Sequence, residues 1–355
     1  MSLTAPAGLQ PSPSSGRPLL ELDEVVKHFI VRKRGFLAGR STVHAVDRVT
    51  LAVKEGETLG IVGESGCGKS TLARVAVGLY KPTSGSIAFG GVDMSQKSEE
   101  ATEARRQMQM VFQDPTGSLN PRLSIRESVA EPLRAGGVKK VEARVDEILD
   151  LVALKSEYGD RLPHQLSGGQ QQRACIARAL IREPRLVVHD ESVSALDVSL
   201  QAQVLNLLRD LQERLGLTYV FISHDVATVQ SISRRVAVMY LGQIVELAPS
   251  AEFSARPLHP YSIALRSAVP VPNPKVERQR ARIILRGDVP SPLAPPSGCR
   301  FHTRCPAVQD VCRKEEPRLI EHRDGHWATC HFAGQFDKTM QPVPIADPRA
   351  KGDPP

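Results

Sequence analysis

Residues 58 to 71 read "TLGIVGESGCGKST". The first five are a short apolar run, the pattern of a buried strand, and the next nine fit G-x-x-x-x-G-K-[ST]. A helical pattern follows to about Leu79, where "KPTSG" stops it. A glycine loop between a strand and a helix is the context that a phosphate-binding loop requires. Gly63, Gly66 and Gly68 let successive backbone N–H groups face an anion without interference from Cβ. Within the same loop stand Glu64, Ser65, Cys67 and Thr71. Lys69 is placed for the β- and γ-phosphates and Ser70 for Mg²⁺. A nucleoside triphosphate with Mg²⁺ is the expected ligand.

The chain around this loop alternates strands and helices. "TVHAVDRVTLAV" alternates apolar and polar residues as a half-buried strand does. "SIAFGG", "MQMVFQ", "RLVVHDE" and "TYVFISHD" read as further strands, and residues about 124 to 152 as helices. Leu200, Val204, Leu207, Leu208, Leu211 and Leu215 share one helical face, with Gly216 suited to the stop. Such alternation predicts an α/β fold whose mostly parallel sheet is covered on both faces.

Three predicted strands end in polar residues. "RLVVHDE" ends in Asp190, a Mg²⁺ ligand candidate, and Glu191, a candidate base for the attacking water. Gln113 closes "VFQ", where an amide reaches metal and water, and His224 closes "FISH" near a γ-phosphate. Taken singly, each has an ordinary structural reading; together they converge on the crevice where open parallel sheets bind ligands. A second turn, "LSGGQQQR" at 166 to 173, sets a hydroxyl and two glycines at a helix start but carries no lysine for a nucleotide.

With "GESGCGKST", "VFQDP", "LSGGQQQR", "LVVHDE", "SALD" and "SHD" in this order, residues 20 to 265 resemble the ATP-binding cassette (ABC) ATPases. The resemblance implies a P-loop fold of ABC type, with an antiparallel β subdomain and an inserted helical subdomain near 114–167. It also implies a head-to-tail dimer. Leu166, Ser167, Gly168, Gly169 and Gln170 of one cassette would close over the ATP of the other. Asp197 would then cross the interface and Phe29 stack on adenine. Ser192, where many members have proline, and His189, beside Asp190, depart from the family pattern without removing a catalytic group.

Beyond the cassette, "PLHPYSIALRSAVP" and "GDVPSPLAPPSGCRFHTRCP" resemble the nucleotide-binding subunits of bacterial oligopeptide and dipeptide importers. The longer N-terminal lead is closer to the second of their two ATPase subunits. The resulting division is a tail over 1–18, an ATPase domain over 19–265, an importer-type extension over 266–335 and a tail over 336–355. Implied partners are a sister ATPase in a heterodimer, two transmembrane permeases and an extracellular solute-binding protein, at the cytoplasmic face of the membrane. Nickel and glutathione importers share these ATPase features, so the solute stays open.

Composition sets limits on the alternatives. Net charge is 46 − 39 = +7, aromatics are 4% and the basic residues are scattered, which favours a solvated surface over a nucleic-acid partner. No apolar run approaches the ~18 residues of a membrane span, and the first 18 residues lack a signal peptide's apolar core.

Four of the 6 cysteines, Cys299, Cys305, Cys312 and Cys330, gather in the extension. Zinc suits four thiolates, although its structural sites usually start from C-x₂₋₄-C, which is absent here. A 4Fe-4S cluster takes the same ligands. Unmetallated thiols are the third reading. Similar quartets in the importer ATPases tilt the expectation to the cluster.

Overall fold

The computed structural model describes residues 18–32, 40–270, 278 and 282–336. The predicted tails, apart from their inner ends, and residues 33–39 of a basic stretch lie outside them. Strands β1 (Pro18–Arg32) and β2 (Arg40–Lys54) pair antiparallel. Val49, Leu51 and Val53 of β2 are buried, which is the period-2 pattern of the sequence turned into a face, and Val46 joins them across an irregularity at Arg48. β3 (Thr58–Val62) then leaves this sheet for the centre of a second one, where all five of its residues are buried. The phosphate loop joins it to α1 (Lys69–Ala76). β4 (Ser84–Phe89) and β5 (Val92–Asp93) return to the first sheet, whose order is β2-β1-β4-β5.

Helix α2 (Glu99–Arg106) leads to β6 (Met108–Val111), the edge of the second sheet. A helical stretch follows: α3 (Pro115–Ser118), α4 (Ile125–Ala135), α5 (Glu142–Leu151) and α6 (Gly168–Leu180). Next come β7 (Leu186–Asp190), α7 (Val198–Leu215), β8 (Thr218–Ser223), α8 (Val226–Ile232) and β9 (Arg235–Tyr240). Gly216 stops α7 in a left-handed conformation at φ 66°. β10 (Gln243–Pro249) turns back on β9, and α9 (Ser250–Ala255) and α10 (Pro260–Ala268) follow. The extension contributes α11 (Asp310–Lys314), β11 (Ile320–Arg323) and β12 (His326–Ala328).

The second sheet runs β11-β12-β10-β9-β3-β8-β7-β6. From β9 to β6 the pairs are parallel. β3, β7 and β8 are buried along their whole length, as expected of parallel strands covered on both faces. The phosphate loop therefore hangs from the middle of a rigid sheet.

Two elements are shorter than the sequence predicts. α1 ends at Ala76 instead of Leu79, because Gly78 adopts φ 77° and the Leu79 and Tyr80 N–H groups both turn back to the Arg74 carbonyl. β6 ends at Val111, two residues before Gln113, since Asp114 caps α3 by accepting from the Thr116 N–H at 2.9 Å.

Candidate active site

Close packing explains the glycines of the phosphate loop. A Cβ on Gly63 would lie 2.2 Å from the Met239 carbonyl oxygen, and one on Gly68 would lie 2.0 Å from that of Ala45. Gly68 caps α1 at φ 110° with no side-chain bond, so the N–H groups of the first turn stay free for an anion. The Lys69 side chain is 4% exposed, and its Nζ donates to the carbonyls of Gly63 at 2.8 Å and Glu64 at 3.0 Å. Cys67 is buried and burial raises its thiol pKa, which keeps it an inert filler.

Polar residues at and just past the strand ends come together. Ser70 Oγ donates to Asp190 Oδ1 at 2.7 Å, and Arg74 lies 3.8 Å from the other Asp190 oxygen. Burial is the main influence on Asp190 and raises its pKa, against the Ser70 hydrogen bond and the Arg74 charge. Glu191 sits just past β7 at φ 50°, a left-handed backbone rare for glutamate. Its N–H donates to the Ile222 carbonyl at 2.9 Å, which aims the side chain across the strand ends. Glu191 Oε2 accepts from Gln113 Nε2 at 3.0 Å and lies 3.3 Å from His224 Nδ1. Lys69 Nζ is 4.0 Å from Glu191 Oε1. A hydroxyl, a carboxylate and an amide are hard oxygen donors of the kind Mg²⁺ takes.

His189 is buried against Tyr219 and Phe221, 3.3 Å from Ser192 Oγ through Nδ1. Burial pushes its pKa down to about 3, so it is a neutral core histidine. Ser192 bonds inward and leaves the acidic pair unobstructed.

The second glycine turn, at 166 to 173, belongs to another part of the chain. Ser167 caps α6 in a capping box: the Gln170 N–H donates to Ser167 Oγ at 3.4 Å, and the Ser167 N–H donates to Gln170 Oε1 at 2.9 Å. Leu166 and Gly169 are buried while Ser167 and Gly168 are exposed. The residues around Gly168 and Gly169 are Leu196 and Leu200, which flank Asp197, the N-cap of α7. This turn and Asp197 thus share one surface. Gln171, which sequence reasoning missed, is buried and donates to the carbonyls of Pro163 at 2.9 Å and Leu166 at 3.2 Å. Only a tertiary contact reveals it, through the Thr116 hydroxyl that donates to its Oε1 at 2.9 Å. Phe29, on β1, packs edge-on against Tyr80 with Lys27 Nζ 5.1 Å from its ring.

Comparison with known proteins decides the family. Residues 46–194 match the ABC transporter family model, and residues 245–312 match the model of the oligopeptide/dipeptide transporter C-terminal region. The chain is 50% identical over 319 residues to the oligopeptide transport ATP-binding protein OppF of Salmonella typhimurium, covering 88% of this chain and 95% of that protein. This chain belongs to the ABC transporter ATP-binding proteins. A second relative, the putative oligopeptide transport ATP-binding protein YkfD of Bacillus subtilis, is 49% identical over 89% of this chain and 95% of its own length. Among solved structures, a post-hydrolysis dimer of the cassette MJ0796 bound to ADP and Pi superposes with a TM-score of 0.57 at 31% identity, over 65% of this chain and 98% of that one. The cassette cbiO1 of Clostridium perfringens, part of the ABC transporter complex cbiONQ, gives 0.56 at 28%, over 66% and 90%. The ABC protein described here is therefore an ATPase, and ATP with Mg²⁺ are its ligands. No described helix is long and apolar enough to cross a membrane.

In the extension of this ABC ATPase, Cys299, Cys305, Cys312 and Cys330 line one cavity with His302 and Phe332. Burial raises the thiol pKa of Cys299 and pushes those of Cys305 and Cys330 up to about 12. A metal bound there would have to displace the thiol protons. Among the described residues, the one group of three or more potential ligand atoms all within 4.8 Å of one another is His28, His44 and Asp47. No three of the four sulfurs all lie within 4.8 Å of one another, so they are not gathered as the ~3.8 Å sulfur separation of a tetrahedral zinc site with Zn–S of ~2.3 Å requires. The Asp47 carboxylate of that other group is already bonded by Arg300.

Proposed function

We propose that this protein energises uptake of oligopeptides or dipeptides through an ABC importer, at the cytoplasmic face of the membrane. Its partners in this reading are a sister ATPase, two membrane-spanning permeases and an extracellular solute-binding protein. The observation that carries the reading is the match of residues 245–312 to the oligopeptide/dipeptide transporter C-terminal region, because most of that segment lies beyond residue 265, outside the generic cassette. A strain lacking the gene should lose uptake of labelled di- and oligopeptides and regain it with the wild-type gene. Uptake defects confined to nickel or to glutathione would replace peptide as the cargo.

In hydrolysis, the loop N–H groups and Lys69 hold the β- and γ-phosphates of ATP, and Glu191 accepts a proton from the attacking water. Gln113 and His224, both at Glu191 Oε2, orient that carboxylate and the water. Bound Mg²⁺ offsets phosphate charge, and Ser70, Asp190 and Gln113 are the residues that would hold it. The exposed Ser167, Gly168 and Asp197 face the sister subunit, whose ATP they cover when the dimer closes. Phe29 contacts adenine. Closure on ATP and reopening after hydrolysis give two states between which the permeases alternate.

For the extension we propose a 4Fe-4S cluster on Cys299, Cys305, Cys312 and Cys330, four thiols that line one cavity. Anaerobic purification should yield a brown protein with about four irons per chain, one per thiolate. Cys312→Ser should bleach it. A colourless preparation carrying stoichiometric zinc would mean a zinc site, and one carrying no metal would remove the site.

A further inference from the structure

Two arginines of the cysteine-bearing loop reach into the nucleotide-binding part of the molecule. Arg300 Nη1 donates to the Leu241 carbonyl, and its Nη2 bonds the Asp47 carboxylate. Arg304 makes a fork to Glu64, with Nη1 at 2.7 Å from Oε2 and Nη2 at 3.1 Å from Oε1. The Arg304 side chain is 8% exposed and that of Glu64 28%, so the pair is largely shielded from water. Glu64 is the second residue of the phosphate loop. Its N–H donates to the Tyr261 hydroxyl at 2.9 Å, and its carbonyl accepts from Lys69 Nζ at 3.0 Å.

This places a carboxylate where it is costly. Through the Glu64 carbonyl, the acid lies within roughly 10 Å of the lysine that meets the phosphates, about one Debye length at 0.1 M salt. Its charge repels an incoming polyphosphate unless something cancels it. The guanidinium that does so comes from 240 residues away in sequence. A bidentate fork also fixes the side chain that it neutralises, which a lysine could not do.

We propose that Arg304 sets the nucleotide affinity of this ATPase, as a positioning residue that neutralises and holds Glu64 of the phosphate loop. The extension is on this view part of the ATP site. Arg304 precedes Cys305, so what orders the cysteine loop also orders the clamp. The inference rests on the assignment of residues 63–71 as the loop that holds ATP.

The test is the affinity of the full chain for MgATP, measured by competition with a fluorescent nucleotide. Arg304→Gln should weaken binding about tenfold at low salt, the Coulomb effect of one uncancelled charge near a di- or trianion at high effective dielectric. Most of that loss should vanish at 0.5 M salt. Adding Glu64→Gln should restore affinity to within about threefold of wild type, because the repelling charge is then gone. In the assembled transporter Arg304→Gln should raise KM and leave kcat nearly unchanged, the pattern of lost uniform binding. Unchanged affinity in Arg304→Gln overturns the proposal; so does a loss that Glu64→Gln does not rescue, since a packing defect is indifferent to charge. If Arg304→Gln does not fold, Glu64→Gln alone decides: affinity equal to or above wild type is expected, and weaker binding overturns it. Lys69→Ala serves as the control for the loop, since its binding as wild type would overturn the site assignment separately.

Discussion

Lys69→Ala should abolish measurable ATP hydrolysis, with a loss of about 10²-fold or more, the scale seen when one preorganised electrostatic donor is removed. The ammonium is held ready by the Gly63 and Glu64 carbonyls at 2.8 and 3.0 Å, so little rearrangement separates its resting position from one that bridges phosphates. It is also a cation facing Glu191, whose Oε1 is 4.0 Å away. Alanine removes the ammonium that would meet the polyphosphate and leaves Glu191 without its nearby cation. The check is ATPase turnover together with MgATP affinity in a variant whose thermal unfolding matches wild type. Normal turnover in such a variant would end the assignment of residues 63–71 as the phosphate site.

Glu191→Gln should bind MgATP and then stall, with hydrolysis reduced by roughly 10² or more, the usual contribution of a positioned general base. Glutamine keeps the volume of the side chain and can still meet Gln113 and His224, but its amide cannot take the water's proton. Binding should survive because the contacts of Lys69 and Ser70 do not pass through Glu191. The stalled chain should accumulate closed dimers with its sister subunit, visible as an ATP-dependent shift in size-exclusion or cross-linking. Wild-type turnover in the assembled complex would exclude Glu191 as the base and direct attention to His224, 3.3 Å from the same carboxylate.

Much of the site was legible because its pieces are local. A glycine loop between a strand and a helix is one covalent run of about a dozen residues, and its backbone geometry demands glycine where Cβ would strike Met239 or Ala45. The strand-tip residues were legible for a related reason. Parallel strands buried on both faces read as near-continuous apolar runs, so a carboxylate such as Asp190 at the end of one marks the sheet's rim. Helix and strand ends were less legible. Gly78 and Asp114 each redirect the chain through turn and cap hydrogen bonds that hydrophobic spacing does not record.

Contacts between distant segments are a different matter. Nothing in the spacing of residues 63 to 71 announces that Glu64 needs a guanidinium, or that it comes from Arg304. Gln171 beneath the second glycine turn and the pairing of β12 with β10 are equally silent in the sequence. Periodicity and motif spacing encode which residues one element brings together, because dihedral geometry repeats along the chain. Which elements then meet depends on packing the two sheets and their helices into one close-packed interior. That choice placed the cysteine-bearing extension against the phosphate loop, where charge cancellation between Arg304 and Glu64 makes the contact matter.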